Sequence, residues 1–318
     1  MSNETSSEAD AFTAEVCWHY YVNELTQAEI AKYLGATRLR VNQAIQRARA
    51  LGMVKIEIES PFLPRLELQD RLQERFGLTR AQVAPAHPRL YDYHAPTGAA
   101  LASYMSGRLR SGDWRRIGVS WGMTLQCAID RLLPHSLPDL EVISMLGGAS
   151  RGEAFNAFGI ASGFAGRLGA RYSLLAAPIF LSPALDRAAF LSQDGFAEHF
   201  DKFTRLDTAI LTASDISDRS YLIQTGLPAG VSEAELTGAG AVGDVVGRFL
   251  DEAGQVVSNQ LDGCTIGIEL EVLRQVPERV LAAAGPHKTA IIRAVLTAGI
   301  ANVLITDDLT ARLLLDEA

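Results

Sequence analysis

Residues 25–58 read LTQAEIAKYLGATRLRVNQAIQRARALGMVKIEI. Thr26 stands three residues before Glu29, the spacing at which a hydroxyl caps the Glu29 amide while the carboxylate returns to the Thr26 amide, so a helix is predicted to start here. Ile30, Ala31 and Leu34 supply its buried stripe. Gly35 permits the left-handed residue that ends it, and Thr37 can cap a second helix. In that helix Val41, Ala44, Ile45 and Ala48 share one face, which leaves Arg38, Leu39, Asn42, Gln43 and Gln46 on the other. The alternation Met53, Val54, Lys55, Ile56, Glu57, Ile58 then predicts a short β wing. Two helices joined by so short a turn must cross steeply.

Between Ala31 and Lys55 stand six bases (Lys32, Arg38, Arg40, Arg47, Arg49, Lys55) and no acid, in a chain of formal net charge -8. Such a local reversal of sign suits a phosphate backbone, and the overall acidity favours one specific patch over a general coating of nucleic acid. Double-stranded DNA is therefore the expected partner. Arg38, Asn42 and Gln43 are placed toward bases; Arg40, Arg47, Arg49 and Lys55 toward phosphates; and Thr26, Gln27 and Thr37, at the two helix starts, complete the expected contact set. A pair of helices that binds protein instead is the rival reading, and salt dependence separates the two.

At 318 residues, 48% hydrophobic and 21% charged, the chain can bury a sizeable core and is long for one domain. No run of about 18 apolar residues occurs and the start, MSNETSSEAD, is polar and acidic, so a cytoplasmic protein is expected. Cys17, Cys127 and Cys264 are far apart and without CxxC or neighbouring His spacing, which indicates neither a disulfide frame nor a metal site. No cofactor is expected.

Before the opening stretch, residues 11–22 predict a helix with Val16, Trp18, His19 and Tyr20 partly buried. After it, SPFLP at 60–64 breaks regular structure. The expected division is a DNA-binding domain at 1–59, a linker at 60–64 and an effector-binding and oligomerisation domain at 65–318. Leu68, Leu72 and Phe76 predict a helix over 65–76, AQVAP a strand, and residues 97–110 a helix. Thereafter an apolar run, a Gly-containing loop and a helix recur, with runs at 117–120, 140–146, 208–212, 280–284 and 302–306. Apolar runs without alternation are strands buried on both faces, and helical returns make the sheet mostly parallel: an α/β domain, doubly wound in style.

In such a sheet a ligand lies beyond the carboxyl ends of the strands. Ser120, Trp121, Gly122 and Thr124 of SWGMT offer hydroxyls, a stacking face and a close backbone approach, and the next helix offers free amides to an anion. Gly148 and Arg151 of GGASRGE repeat the plan with a cation. Asp215 and Asp244 can accept from vicinal hydroxyls, and Lys288 can neutralise a phosphate or carboxylate. Neither GxGxxG nor GxxxxGK[ST] occurs in these loops, which disfavours dinucleotides and nucleoside triphosphates, and no nucleophile has an adjacent base.

The order LTQAEIAKYLG, TRLRVNQAIQRARALGMVKIEI, GVSWGMT, GGASRGE, GAVGD and AGPHK ahead of TAIIRAVLTAG resembles the SorC/DeoR-type family of bacterial sugar-responsive transcriptional regulators, over nearly the whole chain. The resemblance implies an N-terminal helix-turn-helix, and a C-terminal α/β domain similar to the ribose-phosphate isomerase, glucosamine-phosphate isomerase and CoA-transferase fold. It also implies homodimers or homotetramers on paired operator half-sites, and a small sugar, polyol or sugar phosphate as effector. By motif position Ser120, Gly122 and Thr124 look like the family's effector loop, Arg151 its second contact, and Asp244 and Lys288 a pair bracketing sugar hydroxyls. Gln43 stands where the family often carries Arg. The expected function is a non-enzymatic regulator of a carbohydrate or polyol operon. The alternative is a sugar-phosphate isomerase-like enzyme with a DNA-binding appendage, its base Asp215 or Asp244.

Overall fold

The structure, a computed structural model, describes residues 2–54, 63–86, 91–149, 156–225, 227–228, 230–257 and 259–316. It divides into two compact units, Met1–Leu63 and Pro64–Ala318.

The first unit holds α1 (Ser2–Tyr21), α2 (Gln27–Tyr33) and α3 (Arg38–Ala50). The start of α2 is the capping box expected: the Thr26 amide donates to Glu29 Oε2 at 2.8 Å and the Glu29 amide to Thr26 Oγ1 at 3.3 Å. Hydrogen bonds from the Thr26 hydroxyl and then from its amide hold the Glu29 carboxyl below the ordinary carboxylate range. Gly35 takes φ +63, which lets the Ala36 amide reach back to Ala31 O. Thr37 Oγ1 then accepts from the Arg40 amide at 3.2 Å. Val16, Ile30, Ala31, Val41, Ala44 and Ile45 form the core of this unit.

Two expectations change here. The first helix is longer than residues 11–22, beginning at Ser2, and Trp18 is 60% exposed rather than partly buried. From residue 10 onward, Thr13, Val16 and Cys17 are the buried positions of α1, and residue 18 lies about 200° around the helix from residue 16. Of the wing, Met53 and Val54 lie in a bend, and residues 55–58 fall outside the described residues.

The second unit, from Pro64, opens within α4 (Leu63–Phe76), so the helix expected over 65–76 begins inside the segment expected as linker. Its main sheet has seven strands, all parallel: β1 (Arg80–Ala84), β2 (Arg116–Val119), β3 (Glu141–Ser144), β4 (Arg171–Ser173), β5 (Thr208–Leu211), β9 (Glu278–Ala282) and β10 (Val303–Asp307), in the order β1-β10-β9-β5-β2-β3-β4. Every residue of β5 and β10 is buried, as strands covered on both faces require. From β2 the chain steps outward through β3 to β4, and from β5 it steps the other way through β9 to β10. The reversal between β2 and β5 makes a topological switch point, where parallel sheets leave a crevice at the carboxyl ends.

A second sheet was absent from the expected pattern. β6 (Ala213–Asp215), β7 (Gly243–Val245) and β8 (Arg248–Leu250) are antiparallel and pair Ser214 with Asp244 and Asp215 with Gly243. The segment expected as a post-strand loop, ASDISD, thus begins with a strand, and the GAVGD run is its partner. Strands of three residues are too short to show a period.

Candidate functional site

Two loops leave the switch point. After β2, Ser120 donates its amide to Ile210 O at 2.9 Å, and its hydroxyl accepts from the Thr212 amide at 3.1 Å. Thr212 Oγ1 in turn donates to Trp121 O at 2.6 Å. These bonds pin the two loops together at their roots. Gly122 follows with φ +117 and forms the start of α6 (Met123–Arg131), whose first amides have no intrahelical acceptor. α5 (His94–Ser111) lies against α6 at Gly98, where a Cβ would meet Cys127 Cβ at 2.6 Å and Thr124 O at 2.8 Å. That close approach carries His94 to Thr124, whose hydroxyl shares a 2.9 Å hydrogen bond with His94 Nδ1.

The result is a cavity of about 250 Å³ whose lining includes His94, Trp121, Thr124, Ser214, Arg219 and Lys288. Trp121 and Tyr221 meet edge to face across it, with centroids 5.6 Å apart. Lys288, in the short 3-10 turn Pro286–Lys288 that follows β9, has its ammonium 5.3 Å from the Tyr93 ring centroid.

Burial sets the protonation states. It pushes His94 down to about 4, with Lys288 adding repulsion, so the ring is neutral near pH 7 and can accept or donate without charge. It pulls the Lys288 ammonium down while Asp215 and Asp244 hold it up. It drives Asp244 up to about 7. The Asp244 carboxyl accepts from the Gly247 amide at 3.2 Å through Oδ2, while Oδ1 of Asp244 and Oδ1 of Asp215 have no hydrogen-bond partner among the described residues. Unfilled acceptors beside a half-buried cation are what a polyhydroxylated guest can complete.

The expected residues sort as follows. Trp121, Gly122, Thr124 and Lys288 line the cavity, and Asp215 and Asp244 stand in the second sheet beside it. Ser120 is buried and its hydroxyl is committed to the loop root. Gly148 is not brought into the lining: its amide donates to Ala177 O, its carbonyl accepts from Ile179, and a Cβ would strike Phe158 at 2.7 Å. Arg151 lies outside the described residues. Tyr93, His94, Thr212, Ser214, Arg219 and Tyr221 were not anticipated. Their signal was available only for Thr212, which ends an apolar run.

A larger hollow of about 470 Å³ opens at the amino ends of β1, β9 and β10, where Glu278 is already held by Tyr104 and Arg108. Its carboxylates are satisfied from within, so the switch-point cavity is the better candidate for a ligand site.

In the first unit, Gln27 begins α2, and the Thr26 and Thr37 hydroxyls serve the two caps. Gln43 is exposed and Asn42 half-buried. Arg47 Nη2 meets Asp10 Oδ1 at 2.8 Å, Arg49 Nε donates to Tyr21 Oη at 2.8 Å, and the Arg40 guanidinium lies 4.4 Å from the Phe12 ring centroid. Lys55 lies outside the described residues. No helix among those described is long and apolar enough to cross a membrane.

Residues 60–316 match the sugar-binding domain family. The chain is 30% identical to the erythritol catabolism regulatory protein EryD of Brucella abortus (strain 2308), over 97% of each chain. It is also 30% identical to the deoxyribonucleoside regulator of Bacillus subtilis (strain 168), over 98% of this chain and 99% of that one. The crystal structure of the full-length sorbitol operon regulator SorC from Klebsiella pneumoniae superposes with a TM-score of 0.72 at 25% identity, covering 95% of this chain and 97% of the other. By its matched domain and by relatives aligned nearly end to end, the chain belongs to the SorC/DeoR-type family of sugar-binding transcriptional regulators.

Proposed function

We propose that the chain is a cytoplasmic, ligand-controlled regulator of a carbohydrate or polyol catabolic operon, with no catalytic step of its own. The first unit is its helix-turn-helix: α3 enters the major groove of operator DNA and the arginines along it reach phosphates. The second unit takes a small sugar, polyol or sugar phosphate, and the chain assembles as a dimer or tetramer on paired half-sites. Relatives named for erythritol catabolism and a sorbitol operon support this class of effector.

The observation that carries the reading is the cavity at the β2/β5 switch point. Its volume of about 250 Å³ falls below the roughly 300–1,000 Å³ of pockets for drug-sized ligands, so a smaller guest fits. Lys288 and the start of α6 suit an anionic or hydroxylated end. Asp215 and Asp244 suit vicinal hydroxyls, and the Trp121 ring suits a carbon face. The effector controls DNA binding if it prefers one arrangement of subunits over another.

A thermal-shift screen of sugars, polyols and their phosphates tests the effector half. A cognate ligand at about 100 times its Kd adds roughly 2.7 kcal/mol to the folded state. A salt titration of binding to promoter duplexes tests the other half, because phosphate contacts give a log-log slope of about -0.9 each. A flat salt response overturns the DNA reading. Conversion of pentose or hexose phosphates at tens per second overturns the non-enzymatic one.

A further inference from the structure

On a helix of 3.6 residues per turn, Leu39, Gln43, Gln46 and Ala50 succeed one another along one outward line of α3, opposite the buried Val41, Ala44, Ile45 and Ala48. That line carries no charge. The arginines flank it, Arg40 and Arg47 on one side and Arg38 and Arg49 on the other. Three of the four are held at their flanks by α1, through Asp10, Phe12 and Tyr21. If α3 lies in a major groove, as proposed above, its outward line faces base edges and its flanks face the two phosphate walls. The cations are thus distributed for backbone contact, and the base-reading task falls to one aliphatic side chain and two amides.

Leu39 is 67% exposed and sits in the first turn of α3, the end of a recognition helix that reaches base edges. A single exposed leucine on an ordinary surface needs no explanation. This one lies on the same line as Gln43 and Gln46, both exposed, within an otherwise cationic surface. The apolar feature that the major groove presents is the thymine C5-methyl, and the amide of glutamine matches adenine N6 and N7. We infer that Leu39 is a specificity residue that packs on the C5-methyl of one thymine in each operator half-site. The inference rests on the DNA reading above and departs from the expected division of labour, in which Arg38, Asn42 and Gln43 were base readers and Leu39 had no role.

The test uses the full chain and an operator selected from randomised duplexes. Replacing single thymines by deoxyuridine removes one methyl and leaves pairing intact. One position per half-site is expected to weaken wild-type binding about 4-fold, the worth of one buried methyl. There, Leu39→Ala is expected to bind the thymine duplex more weakly and to be indifferent to the replacement, whereas Leu39→Met stays sensitive. Equal salt-dependent binding of wild type and Leu39→Ala to random duplex shows that the first unit has folded. A Leu39→Ala variant that keeps the wild-type sensitivity, or an operator with no sensitive thymine, overturns the inference while salt-dependent binding persists. Absence of salt-dependent binding by the wild type overturns the DNA reading itself.

Discussion

Arg47 and Lys288 are both cations assigned to meet a ligand's anionic part, but they are held in opposite ways. The Arg47 side chain is 46% exposed and paired with an Asp10 at least as open, so the pair sits in water and is worth about 0–1 kcal/mol. Lys288 is half-buried, forms no ion pair within 4 Å among the described residues, and has its ammonium pulled down by desolvation against the pull of Asp215 and Asp244. The contrast teaches how each region selects. On the proposed reading, an exposed arginine would exchange Asp10 for a DNA phosphate at little cost and gain little base discrimination, so salt would control it. A desolvated lysine interacts strongly with whichever few atoms enter, so the guest's chemistry and the pH control it.

The sharpest break of the contrast comes from Lys288. In Lys288→Met the thermal stabilisation by the cognate effector, roughly 2.7 kcal/mol at 100 times Kd, is expected to vanish while operator affinity without effector stays within about 2-fold. Loss of operator affinity instead would make Lys288 structural and erase the distinction drawn from its burial.

Next come the DNA contacts. Gln43→Ala is expected to cost about 1–3 kcal/mol on the selected operator and nothing on random duplex. Arg47→Ala is expected to weaken both duplexes alike and to make the salt slope shallower by about 0.9. Binding isotherms across a salt series check both. Sequence-dependent loss in Arg47→Ala would place that residue at a base and undo the assignment of flank and ridge. Asn42, half-buried beside the ridge, is expected to matter less than Gln43.

The cavity makes a prediction in pH that the surface does not. Asp244, raised to about 7 by burial, keeps its proton in the folded state after the unfolded chain has lost it, so its contribution to stability falls as pH rises from about 4 to 7. His94, lowered to about 4 by burial, is neutral in the folded state while the unfolded chain still binds a proton. Its contribution therefore rises from about pH 4 to its ordinary 6.5. The two oppose each other over most of that range. Relative to wild type, Asp244→Asn is expected to gain stability as pH rises over that range, and His94→Gln to lose it. Melting temperatures from pH 4.5 to 7.5 decide, and parallel curves for the two variants would remove both groups from the account.

The same contrast explains what the sequence disclosed. Caps act over three or four residues, so Thr26 with Glu29, Gly35 and Thr37 announced α2 and α3 before any fold was known. The long buried runs that became β2, β3, β5, β9 and β10 were equally legible. The cavity was half legible. Trp121, Gly122, Thr124 and Lys288 follow such runs directly, whereas Ser120 and Gly148 have the same residue types but spend their polar groups on neighbouring backbone. Tyr93 and His94 arrive because α5 packs on α6 at Gly98, an encounter between distant segments that no local pattern records. Asp215 and Asp244 owe their neighbourhood to pairing across β6 and β7, nearly thirty residues apart, in strands too short to be periodic.

The smallest expected effect tests the other pole of the contrast. Asp10→Asn removes the partner of Arg47 from an open surface, so the stability of the first unit should change by less than about 1 kcal/mol. With Arg47 released and one negative charge gone from the groove-facing side, affinity for random duplex should rise by about 2- to 3-fold at low salt and by less as salt screens the difference. Chemical denaturation and low-salt anisotropy measure the two quantities. A stability loss well above 1 kcal/mol would mean that the Asp10 contact organises α1 against α3, and a fall in affinity would mean that Asp10 holds Arg47 in the pose DNA requires. Either result would move this arginine toward the fixed, desolvated behaviour attributed here to Lys288.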